Sequence, residues 1–367
     1  MKVCHLTSVH ALEDIRIFTK QCVSLAEKGF DVTLIACGDQ NFTDIKKGVK
    51  RISLKVNYQG RLQRIVKCQT PLFNKAMEVD ADIYQFHDPE LLPLGKRLKT
   101  AGKKVIYDSH EDVSKQILYK KWLGPLPVRK VFSKLYNKYE KQTVSGFAGV
   151  ISVIDEITES FTCKRSITIK NLPILKSFIR FNPEQVIKKK QLVYVGSLSK
   201  ERGIADCIKA LDYLPKEYSL LLVGKFNSEA FEVQCKMLPQ WQRVEYVGFQ
   251  PHDKVVAHLA ESEIGLSVLH PEENYLNSLP TKGFEYMAMG LPLVISNFKY
   301  WAPYFEGCAI AVKPKSAKAI GEAALSLIQN KKMYNEMANT CLKNRLKYSW
   351  EAEADKLKHF YESILQQ

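Results

Sequence analysis

The 367 residues suffice for two domains at roughly 100–200 residues each, and 46% hydrophobic with 25% charged residues excludes a disordered, collagen-like or disulfide-scaffold chain. The formal charge of +15 is uneven: residues 1–180 carry 31 Lys+Arg against 18 Asp+Glu, a net +13, whereas 181–367 carry 23 against 21, a net +2. An anionic partner, whether membrane, nucleic acid or acidic ligand, is therefore expected at the first half.

Short β-branched runs alternate with amphipathic helical patterns along the chain, which predicts parallel sheets with crossover helices. In the first half the runs place strands near Lys2–Leu6, Asp31–Ala36, Arg51–Val56, Asp82–Gln85, Lys103–Tyr107, Gly149–Val153 and Ser166–Lys170, with helices such as Asp14–Lys28 and Leu91–Lys99 between them. A polar stretch follows with Pro173, Pro183 and the run Lys188–Lys190, read as a linker. A second series begins near Leu192–Val195 and continues at Ser219–Val223, Arg243–Val247, Ile264–Val268 and Pro292–Ile295. The expected architecture is α/β, with two doubly wound Rossmann-like domains whose strand ends face a central cleft. The boundaries predicted are 1–172, a linker at 173–190, 191–348, and a closing helix at 349–367 that packs back on the first domain.

Nine scattered cysteines without a C-x-x-C pair, several in apolar runs such as those around Cys4 and Cys37, read as reduced thiols of a cytosolic protein and not as a zinc site. The start MKVCHLTSVH carries too short an apolar run for a signal peptide. No stretch approaches the ~18 apolar residues of a membrane span.

The segment Asn277–Pro292 carries the strongest chemical signal. Pro280 suits a first helical turn, and Gly290 followed by Pro292 marks the end. Phe284, Met287 and Ala288 form an apolar face, while Lys282, Glu285 and Tyr286 cluster elsewhere. Free N–H groups at the helix start and the charge of Lys282 suit an anion. The plainer alternative is a solvated Lys282–Glu285 pair.

The string P-T-K-G-F-E-Y-M-A-M-G-L-P-L-V resembles the donor-site helix of retaining glycosyltransferases of family 4, which have the two-domain GT-B fold. Tyr194–Gly203, Leu222–Gly224, Val247-Gly248 and Ser349-Trp350-Glu351 are similar to further family segments in the same order. Upstream, Ser8–Phe18, Phe86–Leu92 and Ile106–Asp112 resemble the branch that builds bacterial surface polysaccharides. The resemblance implies a nucleotide-diphosphate sugar as donor, a UDP-sugar by preference, and retaining transfer without an enzyme nucleophile, cofactor or required metal. It implies that Glu285 accepts the ribose hydroxyls and that Arg202 contacts the diphosphate. Gly196, Ser197, Gly203, Gly224, Asn277, Leu279, Pro280, Thr281 and Lys282 complete the implied donor site. His110 is implied beside the donor sugar as a catalytic residue with Glu285. The acceptor side would take His10, Arg16, His87, Asp88, Asp108 and Glu111. The chain departs from the family pattern at Asn277, where a glutamate is usual, and at Ser197, where an arginine often stands.

The first half concentrates its charge between Lys115 and Lys141, interleaved with Tyr119, Trp122, Phe132, Tyr136 and Tyr139. Lys130, Lys134, Lys138 and Lys141 fall on one helical face. Lys120, Lys121, Trp122, Arg129, Lys130, Lys134 and Lys138 form a candidate membrane-facing set, at about 1 kcal/mol per basic residue near an anionic surface. The plainer reading is a surface helix with Val131, Leu135 and Tyr139 turned to the core. Nucleic acid would need a binding signature that the chain lacks. The expected function is sugar transfer from a nucleotide sugar to a polyprenyl-diphosphate-linked oligosaccharide, in capsule, O-antigen or exopolysaccharide synthesis at the cytoplasmic face of the membrane. A sugar-nucleotide epimerase of the same architecture and a catalytically weakened membrane-bound scaffold are the alternatives.

Overall fold

The computed structural model describes residues 1–180 and 186–366; Pro183 lies outside the described residues. The chain divides into two compact units, Met1–Asn171 with Glu353–Gln367, and Leu172–Ala352.

The first unit is built on an eight-stranded sheet: β1 (Lys2–Thr7), β2 (Asp31–Gly38), β3 (Phe42–Lys46), β4 (Val49–Lys55), β5 (Ile83–Phe86), β6 (Lys104–Ser109), β7 (Gly149–Ser152) and β8 (Ser166–Thr168), in the order β3-β4-β2-β1-β5-β6-β7-β8. All neighbours are parallel except β3 and β4. That antiparallel hairpin went unpredicted. Its two-residue turn is Lys47-Gly48, at φ 52° and 77°, the doubly left-handed geometry that matches strand twist. The central strands are buried on both faces, so they read as continuous apolar runs.

The second unit carries β9 (Gln191–Val195), β10 (Ser219–Val223), β11 (Val244–Gly248), β12 (Ile264–Ser267), β13 (Leu293–Ser296) and β14 (Ala309–Val312) in the order β11-β10-β9-β12-β13-β14, all parallel. The last strand, only four residues long, was not predicted. Strand order reverses beside β9, which puts a topological switch point at its carboxyl end.

The stretch expected as a linker at 173–190 begins inside the second unit. Leu175 and Phe178 are buried in that unit's core, and Glu351 accepts hydrogen bonds from the Leu175 and Lys176 amides. The closing helix Trp350–Leu365 lies with the first unit from Glu353 onward. There Tyr361 is fully buried against His5 and Phe30, and the Ile364 carbonyl accepts from Lys104.

The helix Leu126–Val144 rests on the first sheet through few groups. Tyr107 and Tyr136 hydroxyls donate to Glu140 Oε1 at 2.9 and 3.3 Å. Burial pushes the Glu140 carboxyl up to about 7 against the partial relief of those two hydroxyls. An acid whose folded pKa is raised binds its proton longer in the native state, so stability falls as pH climbs from about 4.5 to 7. The loss is on the order of 3 kcal/mol, and Glu140→Gln is expected to flatten urea midpoints across that window while raising them at pH 8.

Candidate functional site

In the second unit two strand ends meet one helix. β9 leads into Gly196 (φ 125°) and β10 into Gly224 (φ 144°). A Cβ on Gly224 would lie 1.8 Å from the Gly196 carbonyl oxygen, so the two turns approach as closely as they do only with glycine there. The helix Thr281–Ala288 is entered through Pro280 and ends with Gly290 at φ 67°. The Gly290 and Leu291 amides donate back to Met287 and Tyr286 carbonyls, closing the helix as the sequence pattern predicts. Tyr286 fixes this helix to the sheet: its hydroxyl accepts from the Val195 amide at 3.0 Å and donates to the Leu266 carbonyl at 3.3 Å.

Lys282 is buried, so the solvated Lys282–Glu285 pair does not form. Its Nζ sits 3.7 Å from the Tyr194 ring centroid and has no hydrogen-bond partner. A Cβ on Gly196 would come 3.5 Å from Lys282 Nζ and 3.7 Å from Arg202 Nη1, so both cationic side chains converge on this glycine. Burial first, then the Arg202 charge, push the Lys282 ammonium well below its ordinary range. Two nitrogen donors aimed at one glycine, one of them buried and unsatisfied, form a place prepared for an anion. A cavity of about 400 Å³, lined by Gly196, Ser197, Gly224, Lys225 and Phe249, adjoins it. Arg202 lies 5.8 Å from the Tyr275 ring, and Trp301 Nε1 holds the Ser278 carbonyl at 2.6 Å, shaping the approach to the helix. Ser197, Asn277 and Thr281 are exposed, Leu279 and Glu285 are half-buried, and Gly203 is buried at φ 71° with its Cβ position 2.2 Å from the Val268 carbonyl oxygen.

In the first unit the carboxyl ends of β1, β5 and β6 carry a hydrogen-bonded histidine network. His5 Nδ1 and His87 Nε2 are 2.9 Å apart, and His87 Nδ1 lies 3.0 Å from Asp108 Oδ2. His110 Nε2 lies 3.1 Å from the same oxygen. Gln21 also donates to Asp108 Oδ2, at 2.6 Å, and Arg16 Nη2 pairs with Oδ1 at 3.0 Å. Burial alone would raise the Asp108 carboxyl, but Arg16, His110 and His87 outweigh it and hold it well below the carboxylate range. Burial keeps His5 and His87 below the ordinary imidazole range. Arg16 and Asp108, expected on the acceptor side, are buried and turned to each other; they position the histidines and line no surface. Asp88 is likewise buried: it takes His10 Nδ1 at 2.9 Å, the Ser8 amide and the Thr7 hydroxyl, and against burial these hold it down at about 2. The half-buried His10 and His110 and the exposed Glu111 line a cavity of about 330 Å³ with His87 at its wall.

His87, Asp108 and His110 offer atoms within 4.8 Å of one another, the one such grouping among the described residues that could hold a metal. Asp108 Oδ2 already accepts from Gln21 and the two histidines, and the geometry is that of a hydrogen-bonded cluster.

The predicted basic surface is divided in two. Lys121, Trp122, Lys130, Lys134 and Lys138 are exposed. Val131 and Leu135, which the plainer reading turned to the core, are 58% and 60% exposed. Arg129 instead folds back to donate to the Leu118 carbonyl, and Lys120 lines the His10–His110 cavity. Sequence reading singled out neither Tyr194 and Tyr275, whose rings lie beside Lys282 and Arg202, nor His5 of the histidine network, nor Arg61 and Arg64, which line the His10–His110 cavity. Tyr194 stood within a quoted motif, whereas the other four carried no local signal.

Two doubly wound α/β units of this order define the GT-B fold. Solved structures over the whole length carry the same architecture. A sucrose-phosphate synthase (tll1590) from Thermosynechococcus elongatus superposes at TM-score 0.75 and 15% identity, covering 100% of this chain and 99% of its own. A glycosyltransferase from Rickettsia africae ESF-5 gives 0.74 at 13%, over 100% and 99%. Anabaena Alr3699/HepE in complex with UDP gives 0.71 at 13%, over 99% and 100%. No curated protein matches the chain by sequence. Residues 176–343, within the second unit, match the family model described as "Glycosyl transferases group 1".

Proposed function

We propose that the protein is a retaining glycosyltransferase that moves a sugar from a UDP-sugar to a lipid-linked, polyprenyl-diphosphate saccharide during bacterial surface-polysaccharide synthesis. The observation that carries the reading is the convergence of unpartnered Lys282 Nζ and Arg202 Nη1 on Gly196, within the residues that match the group 1 glycosyltransferase model. There the two side chains would hold the donor's diphosphate, and Glu285 would take the ribose hydroxyls as an acceptor-only carboxylate. The departing nucleoside diphosphate gains negative charge, so fixed donors stabilise the transition state more than the ground state. His110, oriented by Asp108, would face the transferred sugar. No cofactor takes part in this scheme.

The exposed Trp122, Val131, Phe132 and Leu135 among exposed lysines support peripheral attachment to the cytoplasmic face of an anionic membrane. No helix among the described residues is long and apolar enough to cross one. The test is UDP release from a panel of UDP-sugars with and without a polyprenyl-diphosphate saccharide in anionic vesicles. Acceptor-dependent release that falls with salt is expected, and Arg202→Ala and Glu285→Ala should each lower it at least about tenfold, 1.4 kcal/mol. Interconverted sugar nucleotide without acceptor would instead identify an epimerase, and vesicle binding without turnover a scaffold.

A further inference from the structure

The cavity at His10 and His110 holds cations that the scheme above leaves unused. Arg61 and Arg64 enter it from the helix Gly60–Lys67, and Lys120 from the end of the helix Val113–Tyr119. Arg64 is engaged, donating to both Glu90 oxygens at 2.9 and 3.1 Å. Arg61 reaches Glu90 only at 3.9 Å and is half exposed. Lys120 has no ion pair among the described residues, and burial together with the Arg61 charge lowers its ammonium pKa. The carboxylates of the cavity have partners: Asp88 has His10, Glu90 has Arg64, and Glu111 accepts from Gln116. Glu111, bonded to a neutral amide, keeps its charge, but Arg61 and Lys120 are left without a close ion pair among the described residues.

The elements that supply these two cations also carry exposed apolar side chains. The helix that supplies Arg61 exposes Leu62 and Val66, at 80% and 72%, and beside Lys120 stand Tyr119 and Trp122, at 58% and 73%. Exposed apolar side chains of this size on the same segments as the cavity's cations suit a ligand with a charged head and a hydrocarbon tail.

We propose that Arg61 and Lys120 bind the phosphate or diphosphate of an anionic acceptor in this cavity, presenting its sugar beside His110. The inference rests on the transfer reading above and adds to it the acceptor's recognition site. Guanidinium and ammonium groups without a close counter-ion gain charge-assisted hydrogen bonds from phosphate oxygens. The same chemistry comes from a soluble sugar phosphate or from a lipid-linked sugar diphosphate.

The test uses the full chain saturated with UDP, so that pyrophosphate cannot occupy the donor site. Inorganic pyrophosphate is titrated by calorimetry in one arm. In the other, cosedimentation with phosphatidylcholine vesicles is compared with and without a polyprenyl-diphosphate saccharide. Arg61→Ala and Lys120→Met should each weaken pyrophosphate binding about fivefold, and the double variant at least about thirtyfold, with UDP affinity unchanged. Added vesicle binding that the double variant loses identifies the lipid-linked source; pyrophosphate binding without it identifies a soluble sugar phosphate. Equal binding by wild type and double variant in both arms overturns the proposal. Wild type that fails to bind UDP removes the donor-site reading instead, and the pyrophosphate arm then runs without it.

Discussion

Lys282→Met is expected to weaken UDP binding by about 10- to 100-fold while leaving the protein as stable as wild type or about 1 kcal/mol more stable. Both halves follow from one geometry. The Nζ is buried over the Tyr194 ring without a hydrogen-bond partner, so the free protein carries the desolvation cost of an amine that only a ligand relieves. Methionine fills similar volume without that cost. Calorimetric titration with UDP and a urea melt of the same sample read the two effects. Undiminished UDP affinity would remove Lys282 from the donor site, and a large loss of stability would make it a structural residue.

Asp108→Asn should produce the largest stability change, a loss of about 3–5 kcal/mol. Asp108 is fully buried, and it is the carboxylate that pairs with buried Arg16. The amide keeps an acceptor for one histidine but leaves the Arg16 guanidinium without a counter-charge. Chemical denaturation monitored by fluorescence gives the loss. His110→Ala separates position from chemistry: half-buried at the cavity wall, it should cost little stability but lower acceptor-dependent turnover by at least about 100-fold. A stable Asp108→Asn protein would show that the ion pair does not organise the histidine network.

Much of the fold was legible because parallel strands buried on both faces are written as uninterrupted apolar runs, of which Asp31–Gly38 and Ser219–Val223 are clear instances. Two strands escaped. Phe42–Lys46 is an edge strand with exposed and half-buried residues, so no burial pattern marks it, and Ala309–Val312 is too short to display one. The helix after Asp14 was placed correctly because Asp14 caps it, its Oδ1 accepting from the Ile17 amide at 2.8 Å. Its first two turns are wound as a π-helix, which sequence periodicity does not report.

The candidate site divides along the same line. Local sequence determined the helix Thr281–Ala288 with its stop at Gly290, the glycine turns after two strands, and the concentration of positive charge in the first half, because each depends on neighbours within a few residues. Tertiary structure alone decided that Lys282 is buried and unpaired, that Arg16 faces Asp108 across 92 positions, and that Lys120 joins Arg61 in a cavity while its neighbours stay on the surface. Whether a charge is solvated, paired or left waiting for a ligand is set by what the fold packs around it, and those partners come from strands and helices far away in the chain.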